Sequence, residues 1–244
     1  MNKKNKPLRV LHFYKTAYPF SYGGVEQVIH QLAKGCANSG IDVDVLVLGR
    51  GDVKNYDVTE VDGYRVHRVK QDFEVASTGF SVSSYFRFKE LAEQADVIHY
   101  HYPWPYQDFL HFMFVKRRVK KTIVTYHSDV IRQQVLLKLY RPLKSAFLAD
   151  VDAIVATSPA YSDSSSVLQK HSLKVEVIPL GLSTETLPNQ PDKDAVALWR
   201  EKLGEGFFFF VGVLRYYKGL DVLIRAAVLS GVKVVIAGAG FEAD

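Results

Sequence analysis

The sequence is poor in features that stabilise or anchor exported proteins. It has one cysteine, Cys36, in 244 residues, so no disulfide framework can form within the chain, which suits a reducing cytosol. Its longest apolar stretches, such as Phe207–Leu214, are shorter than the about 18 residues that a transmembrane helix needs. The charged amino terminus is not followed by an apolar signal core. We therefore expect a cytoplasmic protein.

Several signatures of cofactor and nucleic-acid binding are also missing. The glycine pair Gly23-Gly24 does not match the dinucleotide pattern G-x-G-x-x-G, and no serine elbow typical of hydrolases occurs. His99 and His101 in VIHYHYP are expected on opposite faces of a strand, with no carboxylate nearby as a third ligand, so we predict no metal site. Zinc spacings and RNA-binding aromatic signatures are absent, and we expect no nucleic-acid partner.

What the sequence does contain is a regular alternation of strand and helix patterns. The strand Val10–Phe13 is followed by a helical apolar stripe over Val25–Asn38. Short Val- and Ile-rich runs without alternation are typical of parallel strands covered on both faces. The repeated order predicts an α/β fold with a Rossmann-like, doubly wound parallel sheet. Further strands are predicted at Val43–Leu48, Val97–Tyr100, Thr122–Tyr126, Ala153–Ala156 and Val175–Ile178.

The pattern divides the chain into two domains. Residues 1–180 form the first, and the turn-rich residues 181–205 form a linker and a helix. Residues 206–244 begin a second Rossmann-like domain with strands predicted at Phe207–Val213 and Val232–Ala237. Two strands are too few to complete such a sheet, so we expect the chain to be part of a longer protein.

Candidate site residues follow the predicted strands, because ligands bind beyond the carboxyl ends of parallel strands. Three of these groups have simpler explanations that stay open. Gly23-Gly24 could form a turn before a helix, Glu26 could do no more than favour the helix dipole, and Asp129 could do no more than cap a helix. Arg215 and Lys218 precede a helix, where two cations suit a diphosphate, although a solvated loop is the alternative. The candidates in the first domain are Gly23, Gly24, Glu26, His101, His127, Ser128 and Asp129.

Positive charge is concentrated after the apolar stretch FLHFMFV. The net charge is +5, and FLHFMFV is followed by a basic segment, residues 116–121, that contains Lys116, Arg117, Arg118, Lys120 and Lys121. One interpretation is a helix followed by a solvated basic turn. The other is an interfacial patch that docks on an anionic membrane.

Six segments together resemble one enzyme family. They are VLHFYKTAYPFSYGGVEQVI, ADVIHYHYP, TIVTYHSD, DAIVATSP, VEVIPLGL and FFFFVGVLRYYKGLDVLIRAA, and they span nearly the whole chain. The chain resembles the retaining glycosyltransferases of the GT-B fold, family four, which have two Rossmann-like domains. Within that family it is most similar to bacterial GDP-mannose-dependent mannosyltransferases of O-antigen and polysaccharide assembly.

The resemblance implies a role for each candidate residue. Gly23 and Gly24 would lie against the donor diphosphate or the acceptor, and His127 would contact the donor sugar. Arg215 and Lys218 would hold the diphosphate in place of a metal, so no cofactor is expected. The implied partners are a nucleotide sugar and a glycan or polyprenyl-diphosphate-linked acceptor, with the protein peripheral at the inner face of the membrane.

Three departures from the family pattern limit what the resemblance implies. Val213 stands where the family has an arginine, Ser183 stands where its linker motif has an aspartate, and the Glu-x7-Glu donor segment is absent. We therefore expect weak donor binding and little transfer by this chain alone. The alternatives are a sugar-nucleotide epimerase of the same shape and a non-catalytic α/β binding fragment.

Overall fold

The computed structural model describes residues 6–49, 51–75, 78–115, 120–129, 134–181 and 190–240. The chain divides into two compact units, residues 1–182 and 183–244. The roles expected for the two domains stay predictions. The strands of the first unit are β1 (Arg9–Phe13), β2 (Asp42–Gly49), β3 (Tyr56–Val61), β4 (Tyr64–Lys70), β5 (Phe73–Val75), β6 (Thr78–Phe80), β7 (Val97–Tyr102), β8 (Lys121–Tyr126), β9 (Ala153–Ala156) and β10 (Val175–Val177). Its α-helices are α1 (Gly24–Asn38), α2 (Val82–Gln94), α3 (Pro105–Phe114), α4 (Gln134–Asp150), α5 (Pro159–Ser164) and α6 (Ser166–Gln169).

An eight-stranded sheet forms the centre of the first unit. Its strand order is β10-β9-β8-β7-β1-β2-β4-β3, and all neighbours are parallel except β3 and β4. Successive residues such as Val45, Leu46 and Val47 are all buried, because helices cover both faces of the sheet. The strand order reverses between β1 and β7, which makes that point the topological switch. The predicted α/β fold is confirmed.

The one antiparallel pair in this sheet is joined by the turn that the sequence predicts. Asp62 and Gly63 have φ values of 44° and 86°, so both central residues are left-handed, as a tight hairpin turn requires. Glycine adopts this conformation without the clash that a Cβ atom introduces. A second hairpin, β5–β6, was not predicted; Phe73 and Phe80 stack across it with ring centroids 5.0 Å apart.

Two predicted elements differ from those in the structure, and the first difference affects the site. Strand β7 continues to Tyr102 instead of ending at Tyr100, so His101 lies inside the strand. The single helix predicted from Pro159 to Leu168 is two short helices, since Ser165 leaves helical geometry and its hydroxyl accepts from the backbone N–H of Leu168 at 3.4 Å. The first difference lies at the end of a strand, where sequence patterns are a weak guide.

The second unit contains α7 (Lys193–Leu203), β11 (Phe208–Val211), α8 (Leu220–Ser230) and β12 (Val234–Ala237), with β11 and β12 parallel. Glycines let the strand ends approach closely. A Cβ atom on Gly238 would lie 1.9 Å from the carbonyl oxygen of Gly212, and one on Gly240 would lie 2.3 Å from that of Leu214. Over the described parts of both units, no helix has the length and apolar character needed to cross a membrane.

Candidate functional site

The predicted site residues of the first unit gather at the carboxyl edge of the sheet. The glycine loop, residues 14–23, connects β1 to α1, and His127, Ser128 and Asp129 follow β8. Strand β7 lies between β1 and β8, next to the topological switch. Parallel strands point their carboxyl ends the same way, so residues more than 100 positions apart in sequence share this edge. Ligands of open α/β sheets bind at such a place.

The glycine loop is closed by the carboxylate of Glu26. Glu26 accepts hydrogen bonds from the hydroxyls of Thr16 at 2.6 Å and Ser21 at 3.3 Å. A Cβ atom on Gly23 would lie 2.2 Å from this carboxylate, whereas Gly24 has open space around it. Helix α1 starts at Gly24 and has no side-chain cap, so its first N–H groups can bind an anion. Glu26 lies in the first helical turn, where its charge also favours the helix dipole.

Three histidines form a hydrogen-bonded chain from the sheet interior to this edge. His12 Nδ1 lies 3.0 Å from His101 Nε2, and His101 Nδ1 lies 3.1 Å from His127 Nε2. His12 and His101 are buried, while His127 is half-buried. His101 therefore does not follow its strand as expected. Its ring is enclosed within the sheet and contacts His127, which reaches the surface.

The prediction that His99 and His101 lie on opposite faces was wrong. Residues two apart in a strand share a face, and these two rings stack with centroids 4.6 Å apart. In the parallel register His12 of β1 lies opposite His99 of β7, and their centroids are 4.8 Å apart. His99 Nε2 lies 2.8 Å from the hydroxyl oxygen of Thr125. The histidines thus form one cluster on one face.

The cluster is uncharged at neutral pH because its members are removed from water. Burial lowers the pKa of His12 to about 4 and that of His127 to about 4. Burial, followed by the charges of neighbouring histidines, lowers the pKa of His99 and His101 well below the usual value. Neutral imidazoles can each donate one hydrogen bond and accept one, which is what a hydrogen-bonded chain requires.

Three of these histidines also have ring nitrogens close enough to consider for a metal ion. One nitrogen each from His12, His99 and His101 lies within 4.8 Å of the other two. The third ligand that the sequence argument lacked is thus His12, from the neighbouring strand. However, imidazole lone pairs lie in the ring plane. His99 and His101 stack, so their lone pairs lie side by side, while His12 Nδ1 and His101 Nε2 face each other across a hydrogen bond. The geometry favours hydrogen bonding, and the absence of a metal stays a prediction.

Asp129 is held by two tyrosines beside His127. It accepts hydrogen bonds from the hydroxyls of Tyr126 at 2.9 Å and Tyr161 at 3.3 Å. Tyr126 stacks on Tyr102 with ring centroids 4.4 Å apart and planes 6° apart. Ser128 is exposed. Asp129 is therefore a fixed carboxylate at the site edge; whether it also caps a helix concerns residues outside the described ranges.

In the second unit, Arg215 and Lys218 are exposed next to the start of α8. Arg215 precedes the 3-10 helix Tyr216–Lys218, Lys218 is its last residue, and Gly219 then has a left-handed φ of 67°. Two cations at a helix amino terminus suit an anionic group by charge and by dipole. Val213, at the position of the family arginine, is exposed. Ser183 lies outside the described residues.

The basic segment is described only in part. Lys116, Arg117 and Arg118 lie outside the described residues. Lys120 donates to the backbone carbonyls of Glu93 and Ala95 near the end of α2. Lys121 forms an ion pair with Asp152 at 3.1 Å. These two lysines stand at the amino end of β8, opposite the edge that holds His127, and contribute to local structure.

Sequence reasoning missed His12 and the tyrosines around Asp129. A histidine inside the apolar strand VLHF is itself a signal, because burying it costs free energy unless it is hydrogen-bonded. Tyr161 belongs to a helix 32 residues from Asp129, and no local pattern connects them. Their contacts depend on strand order and register, which single-sequence patterns do not supply.

The fold resembles that of known glycosyl-transferring enzymes. Sucrose-phosphate synthase from Thermosynechococcus elongatus superposes with a TM-score of 0.70 at 20% identity, over 95% of this chain and 62% of that one. At that level of identity the similarity shows the fold alone. It agrees with the GT-B architecture implied by the sequence segments.

Sequence comparison gives closer relatives. The D-rhamnosyltransferase WbpZ of Pseudomonas aeruginosa is 50% identical over 233 residues, which cover 96% of this chain and 60% of WbpZ. The O-antigen chain mannosyltransferase C of Escherichia coli is 48% identical over 233 residues, which cover 96% of this chain and 61% of that protein. This chain thus spans about six-tenths of the length of either relative.

The profile described as Glycosyltransferase Family 4 matches residues 22–186. The match begins in the glycine loop and includes His101, His127 and Asp129. It covers more than half of the chain. The chain therefore belongs to Glycosyltransferase Family 4.

Proposed function

We propose that the chain forms part of a glycosyltransferase of cell-surface polysaccharide or O-antigen synthesis. It would move a sugar from a nucleotide donor to a glycan or polyprenyl-diphosphate-linked acceptor. The observation that carries this proposal is the hydrogen-bonded histidine chain that ends in His127 at the carboxyl edge of the sheet, in a chain of this family. His127 would contact the donor sugar, while Gly23, Gly24 and Glu26 would form the neighbouring wall.

The proposed reaction is retaining and needs neither a metal nor a protein nucleophile. The bond from C1 of the sugar to the diphosphate breaks, and the acceptor hydroxyl bonds to C1 from the same face. Its proton passes to the leaving diphosphate oxygen. Arg215 and Lys218 would stabilise the charge that develops on the diphosphate. Transfer is accordingly expected to be unchanged by a chelator.

Two donor sugars compete in this proposal. One relative is named a mannosyltransferase and the other a D-rhamnosyltransferase. The two sugars differ only at C6, where D-rhamnose lacks the hydroxyl of mannose. We favour α-mannosyl from GDP-mannose, and GDP-D-rhamnose is the alternative. A site that hydrogen-bonds the C6 hydroxyl would reject the sugar that lacks it.

Nuclear magnetic resonance of the ¹⁵N-labelled chain tests donor binding even when it is weak. GDP-mannose, GDP-D-rhamnose and UDP-glucose are titrated separately to millimolar concentration. We expect GDP-mannose to shift the amides of Gly23, Gly24 and His127 and those around Lys218. An intact spectrum that no donor shifts would overturn the proposal and favour a non-catalytic module.

Matched variants show which side chains are responsible. His127→Ala and Lys218→Ala should each weaken the response to GDP-mannose at least tenfold, since each removes a polar contact to the donor. Two controls remove the same residue type elsewhere: His171→Ala in the first unit and Lys193→Ala in the second. Equal weakening by a control and by its partner variant would contradict the assigned roles.

We also propose that the protein is cytoplasmic and binds the inner membrane surface peripherally, near its lipid-linked acceptor. Phe109 and Met113 are exposed one helical turn apart on α3, just before the basic segment. Vesicles with and without anionic lipid are sedimented with the chain. We expect binding only with anionic lipid, weakened by Lys116→Ala with Arg117→Ala and Arg118→Ala. Binding that ignores lipid charge would overturn the idea.

A further inference from the structure

The hydrogen bonds that join His12, His101 and His127 can run in only two directions. Each of its two contacts joins ring nitrogens 3.0 or 3.1 Å apart, so each needs one N–H and one lone pair. Because His12, His101 and His127 are all neutral near pH 7, each ring carries a single proton. Only two arrangements then satisfy both contacts.

In the first arrangement the hydrogen bonds run outward, toward the site. His12 Nδ1–H donates to His101 Nε2, and His101 Nδ1–H donates to His127 Nε2. His127 then carries its own proton on Nδ1, and His12 Nε2 keeps a bare lone pair. In the second arrangement every donor and acceptor is exchanged. His127 then carries its proton on Nε2, and His12 has a buried Nε2–H.

The inner end of the chain decides between them. His12 Nε2 is buried and has no hydrogen-bond partner among the described residues. A buried N–H without an acceptor is rarer in proteins than an acceptor left without a donor. The outward arrangement leaves only an unused lone pair at this position, whereas the inward one leaves an unpaired N–H. The outward arrangement is therefore favoured.

We propose that His12 and His101 are positioning residues that hold His127 in its Nδ1–H tautomer. This rests on the proposed function, in which His127 contacts the donor sugar. The lone pair of Nε2 is occupied by His101, so His127 meets its ligand as a hydrogen-bond donor through Nδ1. It then binds a sugar oxygen and does not remove a proton from the acceptor.

Stacking supports the positions of these rings. His101 stacks on His99, with ring planes 18° apart, and lies side by side with His127, to which it is hydrogen-bonded. The edge of Tyr14 also faces His101, with centroids 6.1 Å apart. A fully buried ring that is stacked on one neighbour cannot turn over without displacing the side chains around it. The two contacts therefore persist while the ligand site is empty.

Long-range ¹H–¹⁵N correlation of the chain, labelled with ¹⁵N-histidine and recorded near pH 7 without donor, reads the tautomer of each ring directly. We expect His127 to be protonated on Nδ1 with a preference of about tenfold or more. In His101→Phe the donor to Nε2 is lost, so His127 should move toward the Nε2–H form that an unconstrained imidazole prefers. His171→Phe is the control and should leave the His127 signals unchanged.

The wild-type spectrum alone can overturn the inference, even if His101→Phe fails to fold. An Nε2–H signal for His127 would show that the hydrogen bonds among the three histidines run inward. Addition of GDP-mannose tests the proposed function separately, since the tautomer is recorded before the donor is present. A Nδ1–H signal that no donor perturbs would overturn the sugar contact, while an Nε2–H signal that responds to donor would overturn only the positioning role.

Discussion

The two units of the chain differ in how completely their side chains are buried. In the first, Phe13, Phe88 and Phe147 are fully buried, and His12 and His101 lie inside the same sheet. In the second, Phe208 and Phe209 are 66% and 60% exposed, and only Leu214 and Leu220 are buried among the residues whose exposure is described. The difference in burial comes from the number of neighbouring strands and not from the strand propensity of the residues.

This difference affects the candidate site. In the first unit, the site groups are held by buried hydrogen bonds before any ligand arrives, which is preorganisation. In the second, Arg215 and Lys218 lie on an exposed turn. A two-stranded sheet is also marginally stable, whereas eight strands with covered faces support a large core. The units should therefore respond differently to substitution and to pH.

The largest expected effect is local unfolding of the second unit by Gly238→Ala. The added Cβ atom would lie 1.9 Å from a backbone oxygen, and backbone cannot move aside cheaply. We expect the free energy of unfolding of the second unit to fall by more than about 3 kcal/mol, the scale of severe overpacking. A two-stranded unit is not stable enough to remain folded after such a loss. Hydrogen exchange should show loss of protection in β11 and β12 and retained protection in β1 and β7.

Gly231→Ala is the matched control for that substitution. Gly231, unlike Gly238, has a left-handed φ, 67°, and open space around it. Its replacement should cost only about 1–2 kcal/mol of backbone strain. If Gly238→Ala leaves β11 and β12 protected, or removes protection from β1 as well, the two units do not differ as described.

The second effect is a loss of stability of the first unit in mild acid. The pKa of His12 is about 4 in the folded chain and ordinarily 6.5, so the unfolded chain binds more protons between these values. The free energy of unfolding is therefore highest above pH 6.5 and falls as the pH decreases toward 4. His12 contributes roughly 3 kcal/mol to this fall.

Urea unfolding followed by Trp104 fluorescence measures this effect. Trp104 is buried in the first unit, and Trp199→Phe removes the other tryptophan, which belongs to the second. His12→Gln should give a shallower dependence on pH between 6.5 and 4, because one titrating group is gone. Carboxylates titrate in both chains, so their effect cancels. Equal pH dependence in the two chains would contradict the buried, neutral state of His12.

The smallest expected effect is a gain of stability from Gly35→Ala. Gly35 is exposed in the interior of α1, with nothing within 4 Å of the added Cβ atom. Alanine in a helix interior is favoured over glycine by about 0.5–1 kcal/mol. The same urea experiment should show this increase for the first unit and unchanged hydrogen exchange in the second. A decrease in stability would show that α1 needs a glycine there.

Much of the fold could be predicted from local patterns. The runs Val43–Leu48 and Thr122–Tyr126 correspond to β2 and β8 within one residue at each end, and the Asp62-Gly63 turn is where the sequence predicts it. Each is specified by side chains close together in the chain. The position of His127 beyond a strand end was equally predictable, because a strand pattern stops just before it.

Contacts between strands were not predictable in this way. That His99 and His101 share a face follows from strand periodicity, and the prediction of opposite faces was an error. The approach of His12 instead depends on β1 lying beside β7. The contact of the Glu26 carboxylate with Gly23 and the hydrogen bonds from tyrosines to Asp129 likewise depend on how loops pack.

By itself, the sequence determined which segments are strands and helices and which polar groups follow them, because those properties depend on neighbouring residues. Only the tertiary structure decided that three of the histidines form a single hydrogen-bonded chain, that His101 is enclosed while His127 reaches the surface, and that Gly238 contacts backbone. These facts depend on strand order and register, which bring together residues as far apart as His12 and His101. Burial then sets their charge, because imidazolium is costly away from water.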